Sequence, residues 1–117
     1  MEQGDVLFID STHVSKPDSD VNYLFFEIFP RLPSEVITHL HDIFYPFEYP
    51  HQWVKKGMVW NELFLLRSFL QYNNNFEILY FQNMIEKVYR KEIEASWPIK
   101  SESIHGGSFW MRKKQIG

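Results

Sequence analysis

The sequence contains no cysteine, which excludes disulfide bonds and thiolate chemistry and is compatible with a reducing compartment. It has no apolar run of membrane-spanning length, and its first residues, MEQGDVLFID, are acidic and lack the apolar core of a signal peptide. The 12 lysines and arginines are scattered and the formal net charge is −3, which argues against a nucleic-acid binder. We therefore expect a cytoplasmic protein that binds neither nucleic acid nor membrane.

Aromatic side chains are abundant, at 18% of the 117 residues, and this length predicts a single domain over residues 1–117. Short apolar runs predict four strands: Val6–Ile9, which reads as buried on both faces, Glu35–Leu40, Phe76–Phe81 and Ser108–Arg112. Apolar residues at helical spacing predict helices over residues 21–32, 60–72 and 83–96. The first strand, first helix and second strand form a βαβ unit with parallel strands. The pattern therefore predicts an α/β fold.

Acidic and imidazole side chains follow the first two predicted strands. Asp10 and His13 come after the first strand, and His41 and Asp42 end or follow the second. Because ligands of open parallel sheets bind beyond the carboxyl ends of the strands, we expect these side chains to share one pocket. They suit either a divalent metal held by Asp10, Asp42 and His41, or general acid–base catalysis by His41 and His13. A structural role fits equally well, with Asp10 capping a loop, His41 hydrogen-bonded in the core and Asp42 forming a turn.

The segment after the second predicted strand is rich in aromatic residues. Residues 42–57 form a long predicted loop that contains Tyr45, Phe47, Tyr49 and Trp53. These rings either wall an acceptor pocket, stacking on a planar or glycosyl group, or pack over the sheet, and we favour packing for most of them. Asn61 and Glu62 either serve the start of the next helix or point back at the site, and the first interpretation is the simpler one.

Several of these stretches together resemble one protein family. The stretches LFIDSTH, DVNYLFFEIFPRLPSEVITHLHDIFYPFEYP, WNELFLLRSFLQYN, FEILYF and GGSFWMRK are similar to the C-terminal half of bacterial class I S-adenosylmethionine-dependent methyltransferases of the methyltransferase 24 type. The resemblance implies a Rossmann-like half sheet in the family's strand order 4-5-7-6, with the last strand antiparallel. It also implies that Asp10 and Asp42 match acidic residues that hold magnesium in metal-dependent relatives, whereas His41 stands where some relatives carry glutamate. His13 is the last residue of the DSTH motif, which begins with Asp10.

The cofactor-binding half of that family has no counterpart here, since the sequence has no glycine-rich turn after a first strand. The resemblance therefore implies the acceptor-side half of a methyltransferase, with oxygen as the expected acceptor atom of a small-molecule or glycosyl substrate. We expect this half to be inactive alone and to bind S-adenosylmethionine very weakly. Its first strand would be an apolar edge, which predicts a homodimer through that strand or a complex with a separate N-terminal half.

The sequence is compatible with two other functions. One is a non-catalytic dimeric interaction module, or a remnant, derived from a methyltransferase, and the missing glycine-rich turn favours it for the isolated chain. The other is a small metal-binding hydrolase that uses Asp10, His41 and Asp42, although neither a nucleophile nor a complete ligand set accompanies them.

Overall fold

The computed structural model describes residues 1–58, 60–96 and 107–115 of the chain. A four-stranded sheet organises these residues. Its strands are β1 (Val6–Ile9), β2 (Ile37–Leu40), β3 (Phe76–Phe81) and β4 (Phe109–Lys113). They lie in the order β1-β2-β4-β3, with β1 and β2 parallel and β4 antiparallel to both of its neighbours. The predicted α/β class and the parallel β1–β2 pair are confirmed, and the strand order is the one expected from the resemblance.

The helices differ from the predicted ones in their regularity. Those in the described residues are α1 (Asp20–Tyr23), α2 (His51–Lys55), α3 (Glu62–Leu70), α4 (Gln82–Val88) and α5 (Arg90–Ser96). The helix predicted over residues 21–32 is only partly α-helical, because α1 continues as a π-helical turn and then as a 3₁₀ turn that contains Pro30. The helix predicted over residues 83–96 is divided at Tyr89. Helix α2, five residues long, lies inside the predicted loop and is too short to produce a periodic signal.

The loop after β1 is anchored to the start of α1 by short-range hydrogen bonds. The hydroxyl of Ser19 accepts a hydrogen bond from the backbone N–H of Asn22, 3.1 Å away, and caps the helix. The carboxylate of Asp20 accepts hydrogen bonds from both the backbone N–H and the hydroxyl of Thr12. Burial raises the pKa of Asp20, but the hydrogen bonds from Thr12 and from the backbone N–H of Val21 outweigh it, and the pKa is lowered overall.

In the described residues, a hydrophobic core lies between the helices and one face of the sheet. Successive residues of a strand point to opposite faces, and on the inner face the strands bury Ile9, Leu40, Phe109 and Met111. The helical segments contribute Val21, Phe25, Phe29, Leu63 and Leu66 to the same cluster. The face that carries the intervening strand residues lies on the other side of the sheet, away from this core.

That second side of the sheet carries a cluster of rings, which we call the open face and define as Phe8, His39, His41 and Trp110. Phe8 stacks on His39 with ring centroids 4.2 Å apart, and Trp110 and His41 lie 4.4 and 4.5 Å from His39. His39 is 2% exposed, yet its Nδ1 has no hydrogen-bond partner. Phe8 is 60% exposed and Val6 is 49% exposed. The prediction that β1 is buried on both faces is therefore wrong, because β1 is an edge strand whose outer side chains lie on the open face.

The open face predicts a specific loss of stability in acid. Burial, together with the neighbouring His41, lowers the pKa of His39 from its ordinary value of 6.5. The unfolded chain therefore takes up a proton more readily than the folded chain, and the free energy of unfolding falls as the pH decreases from 6.5 through the folded pKa. We expect urea unfolding to show this loss, with a slope of at most about 1.4 kcal/mol per pH unit, and His39→Phe to remove it.

The exposed histidine of α2 provides the control for this experiment. His51→Gln should retain the slope of the wild-type chain, because His51 lies away from the open face and in contact with solvent. A slope that survives in His39→Phe would show that another group causes the acid sensitivity.

Candidate functional site

The carboxyl ends of β1 and β2 lie side by side, because Ile9 pairs with Leu40 in parallel register. The loops that follow these two strands bring His13 and Asp42 together, with 3.6 Å between His13 Nε2 and Asp42 Oδ2. Both residues have left-handed backbone conformations, with φ angles of 64° and 60°, which non-glycine residues rarely adopt. The side chain of His13 is 10% exposed and that of Asp42 is 40% exposed. The two side chains therefore face each other at the edge of the sheet where ligands of such folds bind.

A buried glutamate holds the other side of the His13 ring. Glu62 Oε1 lies 2.8 Å from His13 Nδ1, and Glu62 Oε2 accepts a hydrogen bond from the hydroxyl of Ser11. The Glu62 side chain is only 1% exposed. Because an ionised carboxylate can only accept hydrogen bonds, contact with Glu62 favours the tautomer of a neutral His13 that carries its proton on Nδ1, with Nε2 facing Asp42. This is the orientation that a histidine needs in order to act as a general base.

The start of α3 is joined to the loop after β1 through backbone groups as well. The backbone N–H groups of Asn61 and Glu62 both donate to the carbonyl oxygen of His13, at 3.0 and 3.1 Å. The side-chain amide of Asn61 accepts a hydrogen bond from the N–H of Ser15 and donates one to its carbonyl. These first N–H groups have no partner within the helix, so they are free to hold the loop. The prediction that Asn61 and Glu62 serve only the helix is wrong, since both side chains point back at the site.

In the loop over residues 42–57, which we call the aromatic loop, Tyr45 and Phe47 pack against the hydrophobic core. Tyr45 and Phe47 contact Phe81 with ring centroids 6.0 and 5.3 Å apart, and Phe47 also contacts Phe109. The backbone N–H of Tyr45 donates to the buried side chain of Asn83, 2.8 Å away. The packing interpretation is confirmed for these two rings.

Tyr49, by contrast, belongs to the candidate site. Its hydroxyl accepts a hydrogen bond from the backbone N–H of Leu63, 3.0 Å away, and so satisfies a further donor at the start of α3. Burial raises the pKa of Tyr49 to about 12, and the nearby carboxylates of Glu62 and Asp42 add to the increase. Tyr49 therefore stays protonated at neutral pH and ties the loop after β2 to the same helix end that holds His13.

Three rings beside His13 form what we call the aromatic wall, defined as Tyr49, Trp53 and Trp60. Trp60 stacks on the His13 imidazole with centroids 4.1 Å apart and planes inclined by 25°. Trp53 stands perpendicular to Trp60 at 5.3 Å, and Tyr49 lies 6.4 Å from both indoles. All three rings are partly exposed. The wall can therefore present ring faces and edges to a ligand that reaches His13.

The other predicted site residues lie elsewhere. The ring of His41 contacts Phe8 and His39 on the open face, at 5.2 and 4.5 Å, rather than Asp42. Asp10 is exposed at the end of β1. Within residues 1–58, 60–96 and 107–115, no group of three or more histidine, aspartate or glutamate side chains could hold a metal ion. The metal site of Asp10, His41 and Asp42 therefore stays a prediction.

Gly107, two residues before β4, lies against the backbone of Asp42 and Ile43. The carbonyl oxygen of Gly107 accepts a hydrogen bond from the backbone N–H of Ile43, 3.0 Å away. A Cβ atom at position 107 would lie 2.8 Å from the Cα atom of Asp42, closer than such atoms can approach. Glycine is therefore required at this position for β4 to lie against the Asp42 turn.

No sequence signal indicates Ser11 as a site residue, and the interpretation favoured from the sequence places Glu62 at the helix start rather than in the site. A signal for Glu62 was present, because Glu62 stands four residues before Leu66 and thus on the inward face of the amphipathic helix. An acidic residue on such a face is rarely left buried without a partner. For Ser11 we find no comparable signal.

Comparison of the chain with protein-family models, with curated proteins and with solved structures gave no match. The family resemblance therefore stays a prediction. None of the helices in the described part of the chain is long and apolar enough to cross a bilayer.

The role of Glu62 predicts a matched pair of stability changes. Glu62→Ala leaves the Nδ1–H of His13 and the hydroxyl of Ser11 without a partner in a buried site, and we expect it to lower the free energy of unfolding by about 2–3 kcal/mol. Glu62→Gln should lower the free energy of unfolding by less than half as much. The oxygen of the new amide accepts from the Nδ1–H of His13, and the hydroxyl of Ser11 rotates so that its oxygen accepts from the amide N–H.

Urea unfolding of the two variants measures this difference, with Glu48→Ala in an exposed part of the aromatic loop as the control. The control should lie within about 0.5 kcal/mol of the wild type. Equal stability of Glu62→Ala and the wild type would show that the carboxylate does not hold His13.

Proposed function

We propose that this chain forms the acceptor-binding side of an S-adenosylmethionine-dependent O-methyltransferase, and that a further polypeptide half binds the methyl donor. The observation that carries the proposal is the Glu62–His13–Asp42 arrangement at the carboxyl ends of the parallel strands β1 and β2. The strand order β1-β2-β4-β3, with β4 antiparallel, supports it because the resemblance implies this order. General acid–base chemistry at that edge of the sheet suits the activation of an acceptor hydroxyl.

The chain's own residues supply the proton transfer. The distance of 3.6 Å between His13 Nε2 and Asp42 Oδ2 is too long for a good hydrogen bond, and a hydroxyl beside these two atoms could donate its proton to Nε2. Nε2 then accepts the hydroxyl proton while Glu62 holds the opposite ring nitrogen. The imidazolium lies between two carboxylates, which stabilise its positive charge. S-adenosylmethionine, when bound by the donor-side half, would supply the methyl group.

The surfaces around β1 support the need for a second half. The sequence contains no glycine-rich turn of the kind that binds the donor in this fold class. Sheets that contain parallel strands are usually covered on both faces, whereas Phe8 on the open face is 60% exposed. A half that pairs with the free edge of β1 and covers the open face would complete both the sheet and the site.

The proposal predicts activity only after completion. We expect the isolated chain to show no S-adenosylmethionine binding by isothermal titration calorimetry. Coexpression with the neighbouring reading frames, followed by assay of labelled methyl transfer, should identify a half that restores activity. In that complex His13→Gln should lower kcat by a factor of about 100 or more, because a general base contributes this much.

The controls separate catalysis from assembly. His51→Gln should leave the rate unchanged, and His13→Gln should leave the amount of complex unchanged. Micromolar donor binding by the isolated chain, or full activity of the His13→Gln complex, would refute the proposal.

A second candidate function is a non-catalytic interaction module, and the edge strand favours it. The carbonyl of Asp5 accepts a hydrogen bond from the N–H of Ile37, so the alternation of a parallel ladder directs the backbone groups of Val6 away from β2. These groups are available to a second copy of the chain or to a separate N-terminal half. Both candidate functions, the interaction module and the acceptor-side half of a methyltransferase, therefore use the free edge of β1. Methyl transfer by a complex would distinguish the second from the first.

The edge predicts the effect of one backbone substitution. Val6→Pro removes an N–H from the free side of β1 while sparing the bonds to β2, so association through this edge should be lost without unfolding of the chain. Light scattering combined with gel filtration measures association, and Val6→Thr serves as the control that keeps the N–H group. A wild-type chain that remains monomeric at high concentration and with every candidate half would contradict the predicted edge pairing.

A further inference from the structure

Strand β3 forms the border of the sheet opposite β1. The N–H of Lys114 donates to the carbonyl of Asn75, so the alternation of an antiparallel ladder directs the backbone groups of Phe76 and Ile78 away from β4. In the described residues, no hydrogen bond outside the ladder reaches these groups. They are therefore available to a further strand.

A β-bulge limits the length of this free segment. The register of β3 against β4 shifts between Ile78 and Tyr80, and Leu79 is the extra residue. A bulge interrupts the regular spacing that strand pairing needs, so an incoming strand pairs with residues 76–78 rather than with the whole of β3. The edge suits a short extended segment better than the long contact of two whole strands from two copies of the chain.

An apolar groove lies beside this free segment. Ile78 pairs with the buried Met111, so its side chain lies on the side of the sheet that the helices cover, and it is 47% exposed there. The groove has a volume of about 340 Å³, and it is lined by Pro46, Phe47, Arg67, Leu70, Gln71 and Ile78. A strand residue that pairs opposite Ile78 would direct its side chain to the same side, toward this groove.

The groove carries a positive charge at its rim. Arg67, in the last turn of α3, is the one charged side chain among the described residues that line it. Within residues 1–58, 60–96 and 107–115, its guanidinium has neither an ion pair nor a hydrogen bond. A carboxylate can accept two hydrogen bonds from a guanidinium, and an apolar side chain gains by burial against Phe47 and Leu70. The groove therefore complements an acidic side chain that lies close to an apolar one.

We propose that β3 and this groove bind an extended acidic segment of another protein, which joins the sheet as an antiparallel strand. Backbone hydrogen bonds to Phe76 and Ile78 hold the segment in register, and the groove selects its side chains. Alternate residues of a strand face the same side, so the carboxylate for Arg67 and the apolar side chain for the groove are two residues apart in the segment. This site lies at the border opposite β1 and does not depend on the proposed function.

The probe is a capped hexapeptide of threonines that contains one glutamate and one leucine two residues apart. Titrated into the ¹⁵N-labelled chain, it should shift the amide signals of Phe76 and Ile78 to saturation. A peptide of the same composition with the glutamate and the leucine adjacent directs these side chains to opposite faces, and it should bind more weakly by a factor of about three or more. N-methylation of the glutamate and the leucine should abolish binding, because their N–H groups face β3.

Two matched arginine variants test the groove. Arg67→Gln removes the charge and keeps a polar side chain, and it should weaken binding by a factor of about three or more. Arg31→Gln changes an exposed arginine that does not line the groove and should leave the affinity unchanged. Val6→Pro should also bind the peptide as the wild type does, because it alters only the edge of β1.

The outcomes decide the inference independently of methyl transfer. Absence of binding, equal affinity for the two spacings, binding of the N-methylated peptide, or equal losses in Arg67→Gln and Arg31→Gln would overturn it. Shifts at Val6 in place of Ile78, or a dimer of the wild-type chain whose interface maps to Ile78, would also contradict it. If the peptide binds at Ile78 as expected but no complex transfers a methyl group, the inference stands and the proposed function fails.

Discussion

The contact between the buried carboxylate of Glu62 and Nδ1 of His13 is the interaction on which the site depends. It joins the loop after β1 to the first turn of α3, and the carbonyl of His13 accepts two further hydrogen bonds from the same helix end. The loop after β2 reaches that helix end through the hydroxyl of Tyr49. Because both loops are fastened to one short helix, the left-handed conformations of His13 and Asp42 are held in place, and Nε2 is aimed at the gap between them.

The second constraint is the unequal covering of the sheet. One face is packed against the helices around Leu40 and Phe109, while on the open face Phe8 is 60% exposed. Under the proposed function, the chain would contribute the acceptor side, and an adjoining half would supply the remaining walls and the donor.

Much of the fold could be predicted from the sequence, because apolar runs and turn residues locate β1 and β3 to the residue. The strand order came from the family resemblance, since the sequence pattern alone does not say that β4 inserts between β2 and β3. The site was half predicted. His13 and Asp42 meet as expected, but His41 shares the face of His39, two residues earlier in the chain, and so is directed away from Asp42. For Glu62 the sequence favours the helix-start role over the site, because its partner His13 lies 49 residues away and only the tertiary structure creates this pairing.

The role of His13 as a base depends on which nitrogen of its neutral ring carries the proton. Long-range ¹H–¹⁵N correlation spectra of the isolated, ¹⁵N-labelled chain identify the tautomer of each histidine directly. The structure predicts that neutral His13 carries its proton on Nδ1, donated to Glu62, with Nε2 unprotonated. A spectrum in which His13 carries its proton on Nε2, or exchanges freely between the two tautomers as an exposed histidine does, would contradict the account.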